Sequence, residues 1–230
     1  MNDFNTFAQN MKRYYVFDIK YKDKSFFMKL LGFLLFFNKN FMTSYITTIG
    51  NTIYFPNEGY IKNNERSAIG ILAHEIVHVE QSEKYGRILF SLMYLFPQCF
   101  ALLALGAVFA TLWLPMLWCL VFLVFLAPIP APWRTKFEID GYTMSLFMIN
   151  VDLIHRGYTV ENIEKELLER SILIDSMHFK GPNYWFMWPF GVRKVFEKKI
   201  NDICNGVISD TNEIYGRASR SYLNKACPSG

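Results

Sequence analysis

Two histidines and a glutamate share one short stretch of this 230-residue chain, His74-Glu75-Ile76-Val77-His78. The pattern of residues 67–81 predicts a helix, on which His74 and His78 lie one turn apart on the same face. Two imidazoles in that arrangement can bind one metal ion, usually Zn²⁺. Glu75 lies beside them, where it can take a proton from a water molecule that the metal has acidified. The stretch therefore predicts a zinc site in which Glu75 is the general base.

A catalytic zinc site needs a third protein ligand and keeps its fourth position open. The chain has four histidines, and none follows His78 closely, so the third ligand must come from further along. We favour Glu138, in the segment 136–142 with the sequence KFEIDGY. Asp140 and Glu80 are the next candidates.

The two motifs resemble those of the gluzincin metallopeptidases, in which a glutamate on a second helix completes the zinc site. The layout looks most like that of the membrane-embedded CAAX prenyl endopeptidases and the bacterial heat-shock membrane protease, which carry H-E-x-x-H, apolar spans and then E-x-x-A-D. Here Gly141 replaces the alanine and Tyr142 replaces the aspartate. Asp140 is then the carboxylate that could support a zinc histidine.

The resemblance covers about residues 45–152. It implies a zincin-like fold, Zn²⁺ bound by His74, His78 and Glu138, and hydrolysis of a peptide or protein substrate. It also implies that a strand near the motif helix borders the substrate cleft, and that a downstream His or Tyr stabilises an oxyanion. Residues 177–189 offer candidates for that role, although an aromatic cluster is the simpler interpretation; these candidates are His178, Tyr184, Trp185 and Trp188.

An uncharged run of 46 residues, 88–133, separates Arg87 from Arg134. Its length is about twice what one membrane helix requires, so it predicts two spans, about Phe90–Leu112 and Met116–Ile129, joined by a turn. The alternative is a buried hairpin in a soluble core, but a soluble helix normally has a polar face and this run shows none. Because a hairpin returns the chain to the membrane face that it left, it would bring Glu138 back towards His78.

The charges and the cysteines limit which other classes of function and which location the sequence allows. Basic residues flank the uncharged run, which favours a site on the cytoplasmic face of an integral membrane protein; these residues are Lys84, Arg87, Arg134 and Lys136. The net charge of +4 is mild and no basic tract occurs, so we expect no nucleic-acid partner. The four cysteines form no C-x-x-C pair and indicate no disulfide framework. The oligomeric state is left open.

The other segments supply the supporting elements. Residues 26–37 are apolar and predict either an interfacial membrane helix or an amphipathic helix on the protein's own core. Two β-rich stretches, 44–49 and 52–55, flank Gly50-Asn51 and predict a β-hairpin or a bulged strand. Further helices are expected over 138–155, 160–173 and 192–204, whereas the polar tail beyond Asn205 is expected to be loose.

We therefore expect an α+β, mainly α fold with a zincin-like core, a small β-hairpin and an inserted transmembrane helical hairpin. The expected parts are residues 1–87 with the β element and motif helix, residues 88–133 as the membrane hairpin, and residues 134–230 with the third ligand. The expected function is that of a zinc metalloendopeptidase acting at the membrane surface with the lipid bilayer as a partner. The alternatives are a catalytically inactive metal-binding membrane protein and a lysis or secretion accessory that acts through its hairpin.

Overall fold

The chain folds mainly into helices and adds a three-stranded sheet. The computed structural model describes residues 4–36, 38–127, 129–180, 187–188 and 190–223. The α+β, mainly α class that the sequence predicts is confirmed. Tyr184 and Trp185 lie outside the described residues.

The sheet and two helices form the first part of the chain: α1 (Phe4–Met11), β1 (Asp18–Tyr21), α2 (Phe26–Leu34), β2 (Thr47–Ile49) and β3 (Thr52–Phe55). β2 and β3 pair antiparallel, with Thr48 opposite Ile53, which confirms the predicted hairpin. The turn needs Gly50, whose φ of 58° lies in the left-handed region. β1 pairs parallel with the other side of β3, giving the order β1-β3-β2. β1 was not predicted, because four residues of mixed polarity give little strand signal.

The motif helix α4 (Glu65–Tyr85) follows the short helix α3 (Glu58–Asn63) and precedes α5 (Arg87–Tyr94). Most of α4 from Ala68 to Ser82 is buried, because apolar residues occur on several sides of this helix. It packs along α6 (Pro132–His155), the second long helix. The predicted motif helix is confirmed and is longer than the pattern indicated.

Four helices and a π-helical turn complete the fold: α7 (Val160–Ile174), the turn Asp175–Phe179, α8 (Val192–Cys204), α9 (Val207–Thr211) and α10 (Glu213–Tyr222). Thr159 caps α7 by accepting a hydrogen bond from the backbone N–H of Asn162. α8 has the predicted bounds, and α6 begins six residues before the predicted start at Glu138.

The expectation of a loose tail beyond Asn205 is wrong, since α9 and α10 are packed helices. α10 places Ile214, Ala218 and Tyr222 on one buried face, at helical spacing within a stretch that is otherwise polar. That face contacts α1 and α6, and the Tyr215 ring meets Phe147 edge-on with centroids 5.1 Å apart. Apolar periodicity, and not mean polarity, was the relevant signal.

A buried aspartate ties these helices together. Asp152 of α6 accepts a 2.7 Å hydrogen bond from the hydroxyl of Tyr222 on α10, and it also accepts from Arg156. Arg66 of α4 lies 3.8 Å from the same carboxylate.

One continuous hydrophobic core runs from α1 through α4 and α6 to α10.

The uncharged run forms a hairpin that lies largely outside this core. Two 3₁₀ helices, Gln98–Thr111 and Leu114–Leu126, pack against each other and meet at Leu112 and Trp113. The Gln98 side chain donates a 2.5 Å hydrogen bond to the carbonyl of Ile129 and closes the base of the hairpin. Large apolar side chains along it are exposed, among them Leu112, Trp113, Leu114, Trp118 and Val121.

Across the described residues, no single helix is both long and apolar enough to cross a bilayer. One pair, Arg87–Tyr94 with Gln98–Phe109, meets the length and composition requirements jointly but is bent by 100°. Leu114–Leu126 is a shorter apolar helix. The span expected over Phe90–Leu112 is therefore bent, and the bend falls close to Pro97, which lacks the backbone N–H that a straight helix would use.

We expect Tyr222→Phe to lower the free energy of unfolding by about 1–3 kcal/mol, because the buried Asp152 carboxylate loses a hydrogen-bond donor. Tyr158→Phe is the matched control, since Tyr158 is exposed and its change should stay within about 0.5 kcal/mol. Urea unfolding in detergent, followed by circular dichroism, measures both. Equal stability of the two variants would contradict the role given to Asp152.

Candidate metal centre

Helices α4 and α6 bring together the three side chains that the sequence predicts as metal ligands. His74 and His78 lie one turn apart on α4, with their Nε2 atoms 3.2 Å from each other. Glu138 lies on α6, with Oε2 3.4 Å from His74 Nε2 and Oε1 3.7 Å from His78 Nε2. All three side chains are buried. In the described parts of the chain, these residues form a group whose potential ligand atoms all lie within 4.8 Å of one another.

The distances fit a single bound ion. In a tetrahedral zinc site with bonds of about 2.0–2.1 Å, neighbouring ligand atoms are about 3.3 Å apart. The three observed separations of 3.2, 3.4 and 3.7 Å are close to that value. Two imidazoles and one carboxylate are also a donor set that suits zinc. The group could therefore hold a metal ion and leave a fourth position for water or substrate.

The two positions that depart from the resembled motif both contact His74. A Cβ atom at Gly141 would lie 2.7 Å from His74 Nε2, so only glycine lets α6 approach this ring. Tyr142 packs edge-on against the same ring, with centroids 4.7 Å apart. These contacts fix the plane of the His74 imidazole from the α6 side.

His78 is oriented by a relay of two polar side chains. Its Nδ1 lies 2.9 Å from Gln81 Oε1, and Gln81 Nε2 donates a 3.2 Å hydrogen bond to Asp140. Because the Gln81 amide nitrogen is used on Asp140, its oxygen must accept from His78 Nδ1–H. The Nε2 lone pair of His78 is then free to bind a metal. Asp140, which the sequence suggested as the support of a zinc histidine, thus reaches His78 through Gln81.

Glu75 points its carboxylate towards β2 and is not part of the three-ligand group. Its Oε2 accepts a 2.6 Å hydrogen bond from the hydroxyl of Thr48 on β2. Lys22, the residue that follows β1, is fully buried and donates a 2.7 Å hydrogen bond to the carbonyl of Phe41. Burial lowers the pKa of the Lys22 ammonium to about 8, and the negative charge of Glu75 opposes that fall. Glu75 is therefore a buried, oriented carboxylate beside the metal ligands.

Tyr94, the last residue of α5, donates a hydrogen bond to Glu138 Oε1. The ring also lies against His78, with centroids 6.1 Å apart, and the guanidinium of Arg134 lies 5.0 Å from the Tyr94 centroid. The start of the uncharged run thus contacts the candidate metal centre directly, at both Glu138 and His78.

Electrostatic pairing between Glu138 and the two histidines offsets the free-energy cost of burying these side chains. Burial raises the pKa of Glu138, but hydrogen bonding to His74 and the charges of His78 and His74 outweigh it and hold this pKa well below its usual range. Burial lowers the pKa of His74, but the hydrogen bond and charge of Glu138 outweigh it and raise this pKa. Glu138 is therefore ionised, which is the form that binds a metal cation.

The other residues that the sequence offered as ligands or oxyanion donors have different surroundings. Glu80 accepts a 3.5 Å hydrogen bond from Tyr15 and, like Asp140, lies outside the three-ligand group. His178 is partly exposed on the π-helical turn, and its ring lies 4.9 Å from that of Tyr142, which in turn contacts His74. Burial lowers the pKa of His178. Trp188 packs against Phe190.

Sequence reasoning missed four residues that shape the site: Thr48, Gln81, Tyr94 and Arg134. A signal was present for two of them. Gln81 follows His78 by three residues, which places both on one helix face. Tyr94 carries a hydroxyl into a run that is otherwise almost entirely apolar. Thr48 and Arg134 reach the site only through tertiary packing.

No protein-family model, no curated protein and no solved structure matches this chain. The likeness to gluzincins therefore depends on the motif residues and on the geometry that His74, His78 and Glu138 adopt.

We expect Gly141→Ala to weaken zinc binding by about 10–100-fold, because the added methyl group would push the His74 ring out of position. Gly70→Ala, on α4, is the matched control. A Cβ at Gly70 meets nothing within 4 Å, so zinc affinity should be unchanged and stability unchanged or slightly higher. Competition with a fluorescent chelator gives both affinities. An unaltered affinity in Gly141→Ala would show that its contact with His74 does not matter.

The raised pKa of His74 predicts a pH effect on chelator-treated protein. Charged His74 paired with Glu138 stabilises the fold in full below about pH 6.5, and this contribution is lost as the pH rises through the raised pKa. The ionised Glu138 carboxylate stabilises the fold fully above its unfolded pKa of about 4.3. The carboxylate and the His74 imidazolium are therefore both charged at about pH 6. Glu138→Gln should therefore lower the melting temperature more at about pH 6 than at about pH 9. An equal drop at both pH values would contradict the pairing.

Proposed function

We propose that this protein is a zinc-dependent metallopeptidase that hydrolyses peptide bonds at a membrane surface. The observation that carries the proposal is the mutual spacing of the His74, His78 and Glu138 ligand atoms, with Glu75 buried beside them but outside the ligand group. A glutamate next to a histidine ligand has a use in hydrolysis, because it can accept a proton from the attacking water. This combination supports a gluzincin-like arrangement.

Each residue has a separate role in the proposed reaction. His74, His78 and Glu138 hold Zn²⁺, which when bound supplies Lewis acidity towards water and a peptide carbonyl. Glu75 takes the proton of the nucleophilic water and later delivers it to the leaving amine. Thr48 holds the Glu75 carboxylate by its 2.6 Å hydrogen bond, which fixes the direction in which the free oxygen points.

His178 is a described candidate for the oxyanion role that the resemblance implies. Its ring lies 4.9 Å from that of Tyr142, which in turn contacts His74. An imidazole N–H near the ligand group can stabilise negative charge that develops on a carbonyl oxygen. The Tyr94 hydroxyl instead donates its hydrogen to Glu138 and so positions a proposed ligand.

Association with a bilayer is supported by the exposed apolar surface of the hairpin over Gln98–Leu126. Side chains such as Leu112, Trp113 and Trp118 are largely exposed, and no charged residue interrupts the run. Such a surface is costly in water and is characteristic of membrane-contacting segments. Basic residues at its ends, Arg87 and Arg134, favour a cytoplasmic site.

Burial of the ligands favours a second candidate function, a metal centre that stabilises the fold without turnover. His74, Glu75, His78 and Glu138 each expose less than a tenth of their surface. A metal bound by such buried residues can stabilise the folded state through its binding free energy. The two functions differ in what they require of Glu75, since a structural site makes no use of a base.

Glu75 and Glu138 should give opposite results when each is changed to Gln. Glu75→Gln keeps the ligands, so zinc content by atomic emission should stay near one ion per chain, while peptidase activity falls by about 10²–10⁴-fold. Glu138→Gln removes an anionic ligand, so zinc affinity and content should both fall, and activity should fall with them. Both variants can be assayed in detergent with a panel of soluble and membrane-anchored peptides.

The controls separate the enzyme from the structural centre. His74→Ala should lose zinc, and Gly70→Ala should match the parent in zinc content and activity. Absence of cleavage by zinc-loaded parent across the panel would favour the structural centre. Full zinc affinity in Glu138→Gln would instead remove Glu138 from the ligand set.

A further inference from the structure

Helix α2 (Phe26–Leu34) exposes large apolar side chains on the side that faces away from the protein. Phe26 is 82% exposed and Phe33 is 76% exposed, and the smaller exposures of Phe27, Leu30 and Leu34 complete this outward side. Within the helix only Met28 is fully buried. The helix therefore packs one apolar side, which includes Met28, on the protein and leaves a second apolar side uncovered.

The exposed residues form one continuous face. At about 100° per residue, the side chains of Lys29, Phe33, Phe26, Leu30, Leu34 and Phe27 fall within an arc of about 160°. Lys29 lies at the edge of that arc and the centre is entirely apolar. The opposite side packs on the protein, where Gly32 lies close to Met42. A helix on a water-facing surface would carry polar residues across such an arc.

The charged residues from Lys24 to Asn57, the stretch of sequence that contains α2, are all basic. Between Asp23 and Glu58 the chain contains no acidic residue, while Lys29 and Lys39 are exposed. In the described part of the chain neither lysine makes an ion pair. Basic residues next to an apolar face are complementary to a bilayer that carries anionic headgroups.

We propose that α2 is an interfacial membrane helix, which buries its outward face among acyl chains and places Lys29 and Lys39 at the phosphates of anionic lipids. Lysine at the edge of the face can extend its stem along the apolar surface while its ammonium stays in the headgroup layer. This contact is separate from the hairpin over Gln98–Leu126 and does not require metal chemistry.

A second copy of the chain is a poorer occupant of the same face. A nine-residue helix is about 13 Å long. The surface area on one side of it is far smaller than the area of about 800 Å² that each partner buries in a stable dimer. Self-association through α2 would also bring two copies of Lys29 and Lys39 close together without an acidic partner nearby.

Site-specific photo-crosslinking of the full chain in vesicles tests this contact. The photo-reactive residue p-benzoylphenylalanine replaces Phe33, and the vesicles contain phosphatidylcholine with phosphatidylglycerol that carries a clickable acyl chain. A matched probe at Glu169, on the exposed charged side of α7, is the solvent control. A third probe at Leu120 reports separately on the hairpin.

We expect lipid adducts at Phe33 and not at Glu169. Protein–protein adducts at Phe33, or lipid adducts no more frequent than at Glu169, would overturn the proposal. A lipid adduct at Leu120 without one at Phe33 leaves the hairpin in the bilayer and rejects α2. An adduct at Phe33 without one at Leu120 supports α2 and rejects the hairpin's insertion.

The proposed attraction of Lys29 and Lys39 to anionic lipid is tested with separate variants. Lys29→Gln with Lys39→Gln should lower the lipid adduct at Phe33 by about fivefold per lysine removed, since each cation near an anionic surface contributes about that factor. Vesicles of phosphatidylcholine alone, labelled in the same way, should lower it to a similar degree. An unchanged yield in both experiments would show that anionic lipid is not the partner.

Discussion

Burial of the Glu138 carboxylate between α4 and α6 is the constraint on which the rest of the site depends. A carboxylate withdrawn from water is strongly destabilising unless cations or donors surround it. Glu138 meets that requirement with His74, His78 and the Tyr94 hydroxyl, each from a different position. The same arrangement gives three ligand atoms at the spacing of a tetrahedral metal site. Stabilisation of the apo fold and metal binding therefore compete for the same groups.

The two helices can approach this closely because small residues lie where they meet. Gly141 faces the His74 ring, and Ser145 of α6 hydrogen-bonds the carbonyl of Gly70 on α4 at 3.5 Å. Substitution at Gly141 would separate the ligands by displacing a ring, whereas Gly70 has free space beside it. The Gln81–Asp140 hydrogen bond links the same two helices at the next turn. Packing between α4 and α6 thus sets the spacing of the three candidate ligand side chains.

The uncharged run is connected to the metal centre through α5. Tyr94 ends α5, holds Glu138, and precedes the bend that leads to the 3₁₀ hairpin. A change in the position of the hairpin would therefore alter the hydrogen bond between the Tyr94 hydroxyl and Glu138. The proposed α2 contact would give the protein a second lipid-facing element on the chain before the motif helix. Together the two elements would hold the candidate metal centre at a fixed distance from the lipid surface that we propose.

The sequence alone determined the elements that depend on neighbouring residues. The spacing of His74 and His78 placed both on one helix face, and Gly50-Asn51 between β-branched residues predicted the hairpin of β2 and β3. The choice of Glu138 drew on its motif and on the return of the chain after the uncharged run. Only the tertiary structure decided the contacts between distant residues. Thr48 reaches Glu75 across 27 positions, Tyr94 reaches Glu138 across 44 and Gln81 reaches Asp140 across 59. Such pairings follow from how α4, α5, α6 and the sheet pack, and local periodicity carries no record of that packing.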